Sequence, residues 1–417
     1  MNRRDFLLSS LSAAFAALPR TGWARAAGRQ KARVIVVGGG MAGATVAKYL
    51  RLWDDKVDVT LIERRPKYPS NILSSLVLTG QRTMASLSFG YEALRDRYGV
   101  QVVFDEVVEI DPVAVTVKLT SGGVLRADRI VLAPGIKFDP VSGLADPRRM
   151  PHAWEAGPQT TLLAQQLSDM PDQGIFVLTI PRAPYRCPPG PYERACLIAD
   201  WLKEKKPGAK VIIVDANPDI VAEKENFSKA FTGLYANIIE YRNGVEISSV
   251  DTDQMTLSTN AGTIRGDVIN LIPKQRASAL AAKAGLVTES SGGFAPVDVL
   301  SYASTIAPDV HVIGDSCATT QPKAGHIANQ EAKICADALI RAFAGEGADP
   351  SPVTNSVCYS TITRTEAGWL NAVFQYDPAA KAMRLVPESF AASKGWSRGN
   401  FKEMDVWFEA LMADTFA

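Results

Sequence analysis

The residues best suited to chemistry are two cysteines and a glutamate. Cys187 lies in the run R-C-P-P-G-P-Y-E-R-A (186–195), between an apolar segment, G-I-F-V-L-T-I, and a helix predicted from Tyr192 to Lys206. A loop in that place follows a parallel strand, where open sheets take their ligands, and the flanking prolines stiffen the backbone around the thiol. Cys358, in N-S-V-C-Y-S (355–360), opens the C-terminal region. Were the two to pair, the bond would close a loop of roughly 170 residues, worth about 5 kcal/mol in the chain-entropy model. A structural staple and a reactive disulfide are both open, and Cys317 is the weaker rival partner. Glu193 begins the helix after Cys187 and can take a proton from an incoming sulfur nucleophile. The helix N-terminus lowers its pKa and burial raises it. Cys196 and Cys335 fall among apolar residues of predicted helices and read as buried. The three histidines, His152, His311 and His326, are scattered and no C-x-x-C occurs, so no metal site is expected.

These groups need a scaffold, and its signature is V-I-V-V-G-G-G-M-A-G, Val34 to Gly43. Four β-branched residues make a buried parallel strand. Gly38 permits the turn, Gly40 lets backbone approach a pyrophosphate, and Gly43 lets helix and strand pack closely. Gly39 and Ala42 complete the loop. The second strand, V-D-V-T-L-I-E, ends in Glu63, whose carboxylate can accept from an adenosine ribose. Further candidate cofactor contacts are Arg64, Ser70 and Asn71 in the loop that follows, Val107, and Gly135 at the end of D-R-I-V-L-A-P-G. Gly314 and Asp315 close P-D-V-H-V-I-G-D. Asp315 is placed to hydrogen-bond a flavin ribityl chain, and the helix from Gly325 to Phe343 points its positive end at the ligand. Lys323, just before that helix, adds a positive charge.

A second β-α-β pattern runs through G-I-F-V-L-T-I, the helix at 192–206 and K-V-I-I-V-D-A. Its connecting loop, P-R-A-P-Y-R-C-P-P-G-P, has one glycine and five prolines, which lack the N–H groups of a phosphate cradle. The unit has a nicotinamide-domain shape without the nicotinamide-binding turn, and NAD is not expected. The fold class is α/β, with two Rossmann-like domains and a small C-terminal α+β region. The expected divisions are 27–139 and 276–348 for the two halves of the FAD-binding domain, 140–275 for the central region and 349–417 for the C-terminal region. P-H-A-W-E-A-G-P (151–158) reads as a linker, and 84–97 contains a helix.

With a net charge of +1, nothing points to nucleic acid. Residues 1–26 carry Arg3 and Arg4, then Phe6 and Leu7, an apolar run to Leu18, and Ala24-Arg25-Ala26. They resemble a twin-arginine export signal, which suits a protein exported folded with its cofactor to the periplasm. Its removal takes away four arginines and one aspartate and leaves a net charge near −2. The apolar run falls short of the ~20 residues that span a bilayer, and no integral membrane segment is expected in the mature chain. In that compartment disulfides persist.

The runs around Cys187 and Cys358, with P-H-A-W-E-A-G (151–157), I-N-L-I-P (269–273) and H-V-I-G-D-S-C (311–317), resemble the flavoprotein subunit of flavocytochrome c sulfide dehydrogenases, from about Arg33 to about Tyr359. The resemblance implies a glutathione-reductase-like fold, FAD, a redox disulfide between Cys187 and Cys358 with Glu193 beside it, sulfide as substrate, and a dihaem or monohaem cytochrome c subunit as acceptor. One departure stands out. Family members can attach FAD through a cysteine ahead of the Ser-Asn pair; here Lys67 occupies that place and no cysteine precedes Cys187, so FAD is expected to be non-covalent. Two other functions fit less well. A sulfide:quinone oxidoreductase needs an amphipathic membrane anchor, of which the tail shows one short stretch. A non-catalytic flavin-binding accessory of a sulfur-oxidation complex would bind FAD and turn over sulfide negligibly.

Overall fold

The computed structural model describes residues 31–417; the expected export signal at 1–26 lies outside them. The β-branched run at 34–37 is buried throughout, in a strand Ala32–Val37. It pairs in parallel with Val57–Glu63 on one side and Arg129–Leu132 on the other. Gln101–Phe104 and Val310–Val312 extend the parallel sheet at its two ends. Short antiparallel strands, Ala303–Ser304 and Ala295–Asp298, continue it beyond Val310–Val312. Helices Met41–Trp53 and Gly325–Ala344 pack against each other on this sheet.

The second sheet is wholly parallel, in the order Ile239–Arg242, Lys210–Asp215, Ile175–Ile180, Val268–Asn270. Helix Gly190–Lys205 connects its two middle strands. Where the chain passes between the sheets, Ile136–Phe138 pairs antiparallel with Gln275–Ala277. The C-terminal region is an antiparallel meander, Val353–Thr361, Ala367–Asp377 and Ala382–Leu385, followed by helix Arg398–Phe416. Met404, Phe408, Met412 and Phe416 recur every fourth residue and form one buried stripe. That stripe joins the core of the first sheet, so the tail's apolar residues serve packing there.

The helix expected within 84–97 is present but short, Glu92–Asp96. Upstream, Ser86 N–H donates to Thr83 Oγ1 and Ser88 Oγ to Met84 O, local bonds that compete with a helix, and Ser88–Phe89 pairs with Tyr68–Pro69. The connecting segment 151–158 is packed into the protein: Ala153, Trp154 and Ala156 are buried.

Candidate functional site

A cavity of about 1300 Å³ opens at the carboxyl ends of the first sheet's strands and reaches the loop of Cys187 and the C-terminal meander. Gly38 turns the chain at φ +99°, and a Cβ on Gly43 would lie 1.7 Å from Gly38 O, so helix and strand meet there only without a side chain. At Gly40 the nearest atom to a Cβ would be a Tyr68 ring carbon 3.7 Å away, leaving backbone open to the cavity. Glu63 lines the wall with its carboxylate fixed: Oε2 accepts Gly39 N–H at 2.7 Å and Oε1 accepts Arg65 N–H at 3.0 Å. Ala42, Arg64, Asn71, Val107, Gly135, Gly314 and Asp315 also line it.

Gly43 holds the packing position expected of it, and three expected cofactor contacts stand elsewhere. Gly39 packs on Tyr91, whose hydroxyl donates to Gly39 O at 2.9 Å. Ser70 is buried and its hydroxyl donates to Ile72 O at 3.1 Å, closing its own turn. Lys323 turns its side chain away from the cavity: Nζ donates to Cys317 O at 2.7 Å and lies 3.8 Å from the Phe294 ring centroid. What Lys323 offers the site is its carbonyl, which accepts Cys187 N–H at 2.7 Å. Asp315 does not cap the following helix, whose N-cap is Ala324. It forms an ion pair with Arg186 at 3.5 Å, tying the loop of Cys187 to the turn at Gly314.

Cys187 takes a left-handed backbone, φ +58°, and its carbonyl accepts Gly190 N–H at 2.9 Å, a turn that leads into helix Gly190–Lys205. Cys358 comes to the same cavity from strand Val353–Thr361. All five cysteines are free thiols, so Cys187 and Cys358 stand here as a dithiol, the reduced form of a redox pair. Burial first, then the Glu193 charge, pushes Cys187 up to about 12. Burial, then the charges of Cys187, Glu223 and Glu193, holds Cys358 well above the ordinary thiol range. Cys317 is fully buried, with its thiol donating to Gly314 O at 3.0 Å, and does not line the cavity.

Glu193 joins the two cysteines on the wall. Its Oε1 accepts Thr361 Oγ1 at 2.8 Å. Burial raises its pKa to about 7, outweighing the lowering effect of Thr361 and of Arg194. A carboxyl poised there can give or take a proton near neutral pH. Arg194 is 1% exposed and holds the wall together. It donates to Ala153 O and to Asn270 Oδ1, both at 2.9 Å, and its guanidinium lies 4.6 Å from the Trp154 ring centroid. His326 lines the cavity too, its Nε2 within 2.9 Å of Ser356 Oγ, and burial depresses it to about 4, so it is neutral.

Sequence reasoning missed Trp154 and Arg194, although both stand inside the motifs around 151–157 and 186–195. It also missed Glu223 and Thr361, which no local pattern marks. In the proline-rich loop, the amides of Ala183, Arg186 and Cys187 donate to Asn217 Oδ1, Gln275 Oε1 and Lys323 O, so they are already engaged within the protein.

Fold and site together define a dinucleotide-binding protein with two Rossmann-like domains and a dithiol at the cofactor cavity. Residues 32–155 match the model of the pyridine nucleotide-disulphide oxidoreductases. Residues 160–273 match the central region of the sulfide dehydrogenase [flavocytochrome c] flavoprotein chain, and residues 350–416 the flavin-binding region of flavocytochrome c sulphide dehydrogenase. The sulfide dehydrogenase [flavocytochrome c] flavoprotein chain of Chlorobaculum thiosulfatiphilum is 47% identical over 45 residues, 11% of this chain and 94% of that one. The chain belongs to the flavoprotein family of flavocytochrome c sulfide dehydrogenase.

Other relatives are matched over about half their length or less. Apoptosis-inducing factor homolog B of Dictyostelium discoideum is 26% identical over 234 residues, 55% of this chain and 54% of that protein. The sulfide-quinone reductase of Aquifex aeolicus is 30% identical over 105 residues, 25% of this chain and 24% of that protein. The solved structure of the Aquifex aeolicus sulfide:quinone oxidoreductase superposes with a TM-score of 0.76 at 17% identity, covering 92% of this chain and 91% of that one, a likeness of fold.

The family's cofactor is FAD, and the residues fit it. The Gly38–Gly43 turn leaves backbone open at Gly40, the fixed Glu63 carboxylate stands beyond it, and Asp315 lies at the far strand end. Lys67 also lines the cavity.

Proposed function

We propose that this protein oxidises sulfide through Cys187 and Cys358, with FAD held non-covalently, and passes the electrons to a cytochrome c subunit. The observation that carries the reading is the meeting of two thiols, 171 positions apart in the chain, with Glu193 at the wall of the FAD cavity. In the oxidised pair, hydrosulfide attacks one sulfur. The Cys187–Cys358 bond breaks, a persulfide bond forms on one cysteine, and the other leaves as a thiolate. A second hydrosulfide attacks the outer sulfur of the protonated persulfide; that cysteine leaves as a thiolate, Glu193 takes the former persulfide proton as hydrodisulfide departs, and the pair is left as two thiolates. Bound FAD supplies a two-electron acceptor for return to the disulfide. The sequence of residues 1–26 supports a periplasmic place for this reaction.

Anaerobic titration of the FAD-loaded protein with sulfide tests the reading. Flavin bleaching is expected in the native chain and absent from C187A and C358A with FAD still bound. Bleaching retained by both variants would overturn it.

A further inference from the structure

Arg194 is a buried cation whose contacts are all neutral. Its guanidinium donates to Ala153 O and Asn270 Oδ1 at 2.9 Å, and to His152 O and Ser75 Oγ at 3.3 Å. No carboxylate among the described residues forms an ion pair with it. Burying a charge with no opposite charge beside it is costly, and the anion that forms in this reaction is a thiolate.

Cys187 is placed to be that anion. A Cβ built on Gly190 would lie 2.8 Å from Cys187 Sγ and 2.9 Å from the edge of the Trp154 ring, so sulfur, ring and the first residue of helix Gly190–Lys205 meet at one point. Arg194 lies against the same ring, one turn along that helix. The positive end of a helix stabilises a thiolate. Burial first, then the charge of Glu193, opposes the ionised form of Cys187, while Gly190 N–H, Arg186 and Arg194 favour it. Cys358 has no such support. After burial itself, the charges facing it are those of Cys187, Glu223 and Glu193, and all of them disfavour a thiolate. Its strand partner is Leu370, whose own partner on the other side is Ala392, and both line the cavity. Residues directly opposite in an antiparallel pair share a face, so Cys358 stands on an apolar floor suited to an added, uncharged sulfur.

We infer that Arg194 is the counter-charge of the Cys187 thiolate and thereby sets the direction in which the disulfide opens: hydrosulfide attacks Cys358, which keeps the sulfur, and Cys187 leaves. The inference rests on the sulfide reading above and assigns its two cysteines. A bond forms from hydrosulfide to Cys358 Sγ as the Cys187–Cys358 bond breaks, and the electron pair of the broken bond stays on Cys187. Exchange favours the leaving sulfur that better carries the charge. The persulfide keeps its proton on Cys358, and Thr361 of the same strand holds Glu193, the acceptor of that proton. The charged and titratable groups facing Cys187 come from three sides: Glu193 and Arg194 from helix Gly190–Lys205, Tyr185 and Arg186 from its own loop, and Cys358 from strand Val353–Thr361. Arg186 is already paired with Asp315, which leaves Arg194 as the cation without a carboxylate.

Two measurements on the FAD-loaded protein test this. In the first, the oxidised native chain takes one equivalent of sulfide without oxygen and is quenched rapidly with iodoacetamide. Peptide mass mapping is expected to find the added sulfur on Cys358 and plain alkylation on Cys187. Added sulfur on Cys187 in equal or greater amount would overturn the inference and leave the sulfide reading intact. A native chain in which neither cysteine gains sulfur would overturn both. The second measurement needs no turnover. In a C358A background, iodoacetamide should modify Cys187 several-fold more slowly at pH 9 when R194M or R194Q is added, because the thiolate loses its counter-charge, and R194K should recover most of the rate. Equal rates in all of these chains would overturn the role of Arg194. An arginine that only holds the wall together would, once replaced, expose Cys187 and speed its alkylation, and that outcome would overturn the role as well. Where neither uncharged variant folds, the sulfur map of the native chain, which needs no substitution, still decides the direction.

Discussion

The hydroxyl of Thr361 donates to the carboxylate of Glu193 at 2.8 Å. With Thr361 N–H, which donates to the same oxygen at 3.4 Å, it joins the strand that carries Cys358 to the helix that follows Cys187. Three residues of that strand therefore act on the site: Cys358 as a thiol, Ser360 on Glu223, and Thr361 on Glu193.

Thr361 stabilises the ionised form of Glu193, which burial alone would push higher than about 7. The variant T361V removes that donor and is expected to raise the pKa of Glu193 by about 1, equivalent to ~1.4 kcal/mol, the range of one hydrogen bond to a charged group. The pH at which sulfide-dependent bleaching reaches half its maximal rate should rise with it, while T361S should keep the native profile. A profile unmoved by T361V would remove Glu193 as the proton acceptor.

Local sequence carried the first sheet well. The β-branched run at 34–37, the glycine turn and the acid ending the second strand all stand where their spacing put them, because each is fixed by neighbours within about 30 residues. The pairing of Cys187 with Cys358 came only through a family resemblance. Spacing left Cys317 as a rival, and the structure sets it aside by burying its thiol behind Gly314. Glu223 and Thr361 were invisible for the same physical reason. Their importance lies in contacts across 137 and 168 positions of chain, which no local periodicity encodes. Lys323 shows the converse: a charge placed correctly along the chain, whose side chain finds a carbonyl and an aromatic ring on the side away from the cavity.

The two glycines of the first loop should separate folding from cofactor binding. A methyl at Gly40 meets no atom closer than 3.7 Å, so G40A should keep the melting temperature of the cofactor-free protein while weakening FAD by tenfold or more, because the methyl occupies the approach to the phosphates. A methyl at Gly43 falls 1.7 Å from a backbone oxygen, so G43A should lower the melting temperature with or without FAD. Thermal melts and flavin fluorescence titration distinguish them. Equal FAD affinity for G40A and the native chain would mean the phosphates do not pass over this turn.

Phe416 should couple the C-terminal helix to the cofactor loop. Its ring stacks on Tyr68 at a centroid distance of 5.1 Å and on Phe89 at 5.6 Å, and Tyr68 itself lines the cavity. Removing a buried phenyl ring costs about 3–5 kcal/mol. F416A should therefore unfold at lower denaturant and also release FAD more readily, because Tyr68 loses the surface it leans on. Lower stability with unchanged FAD affinity would confine Phe416 to packing.

Glu331 gives a prediction whose sign depends on pH. It is 2% exposed, its Oε2 accepts Gly314 N–H at 2.8 Å, and burial raises it from 4.5 to about 7 in the folded chain. The fold thus binds this proton more tightly than the unfolded chain does. Its contribution to stability is fully present below pH 4.5 and is lost as pH rises through about 7. Burial depresses His152, His311 and His326 to about 4, so their contributions run the other way, present above 6.5 and lost as pH falls toward 4. Because those groups, with Glu193 and Glu223, are common to both proteins, a comparison of E331Q with the native chain isolates Glu331. Gln can still accept from Gly314 and never ionises. E331Q should match the native stability near pH 4.5 and exceed it at pH 8 by about 3 kcal/mol, since a tenfold change in proton affinity between folded and unfolded chain is worth ~1.4 kcal/mol. Denaturant melts at the two pH values provide the measurement. A variant less stable than the native chain at pH 8 would mean that the ionised carboxylate is held by Gly314 N–H and Lys323 more strongly than burial opposes it.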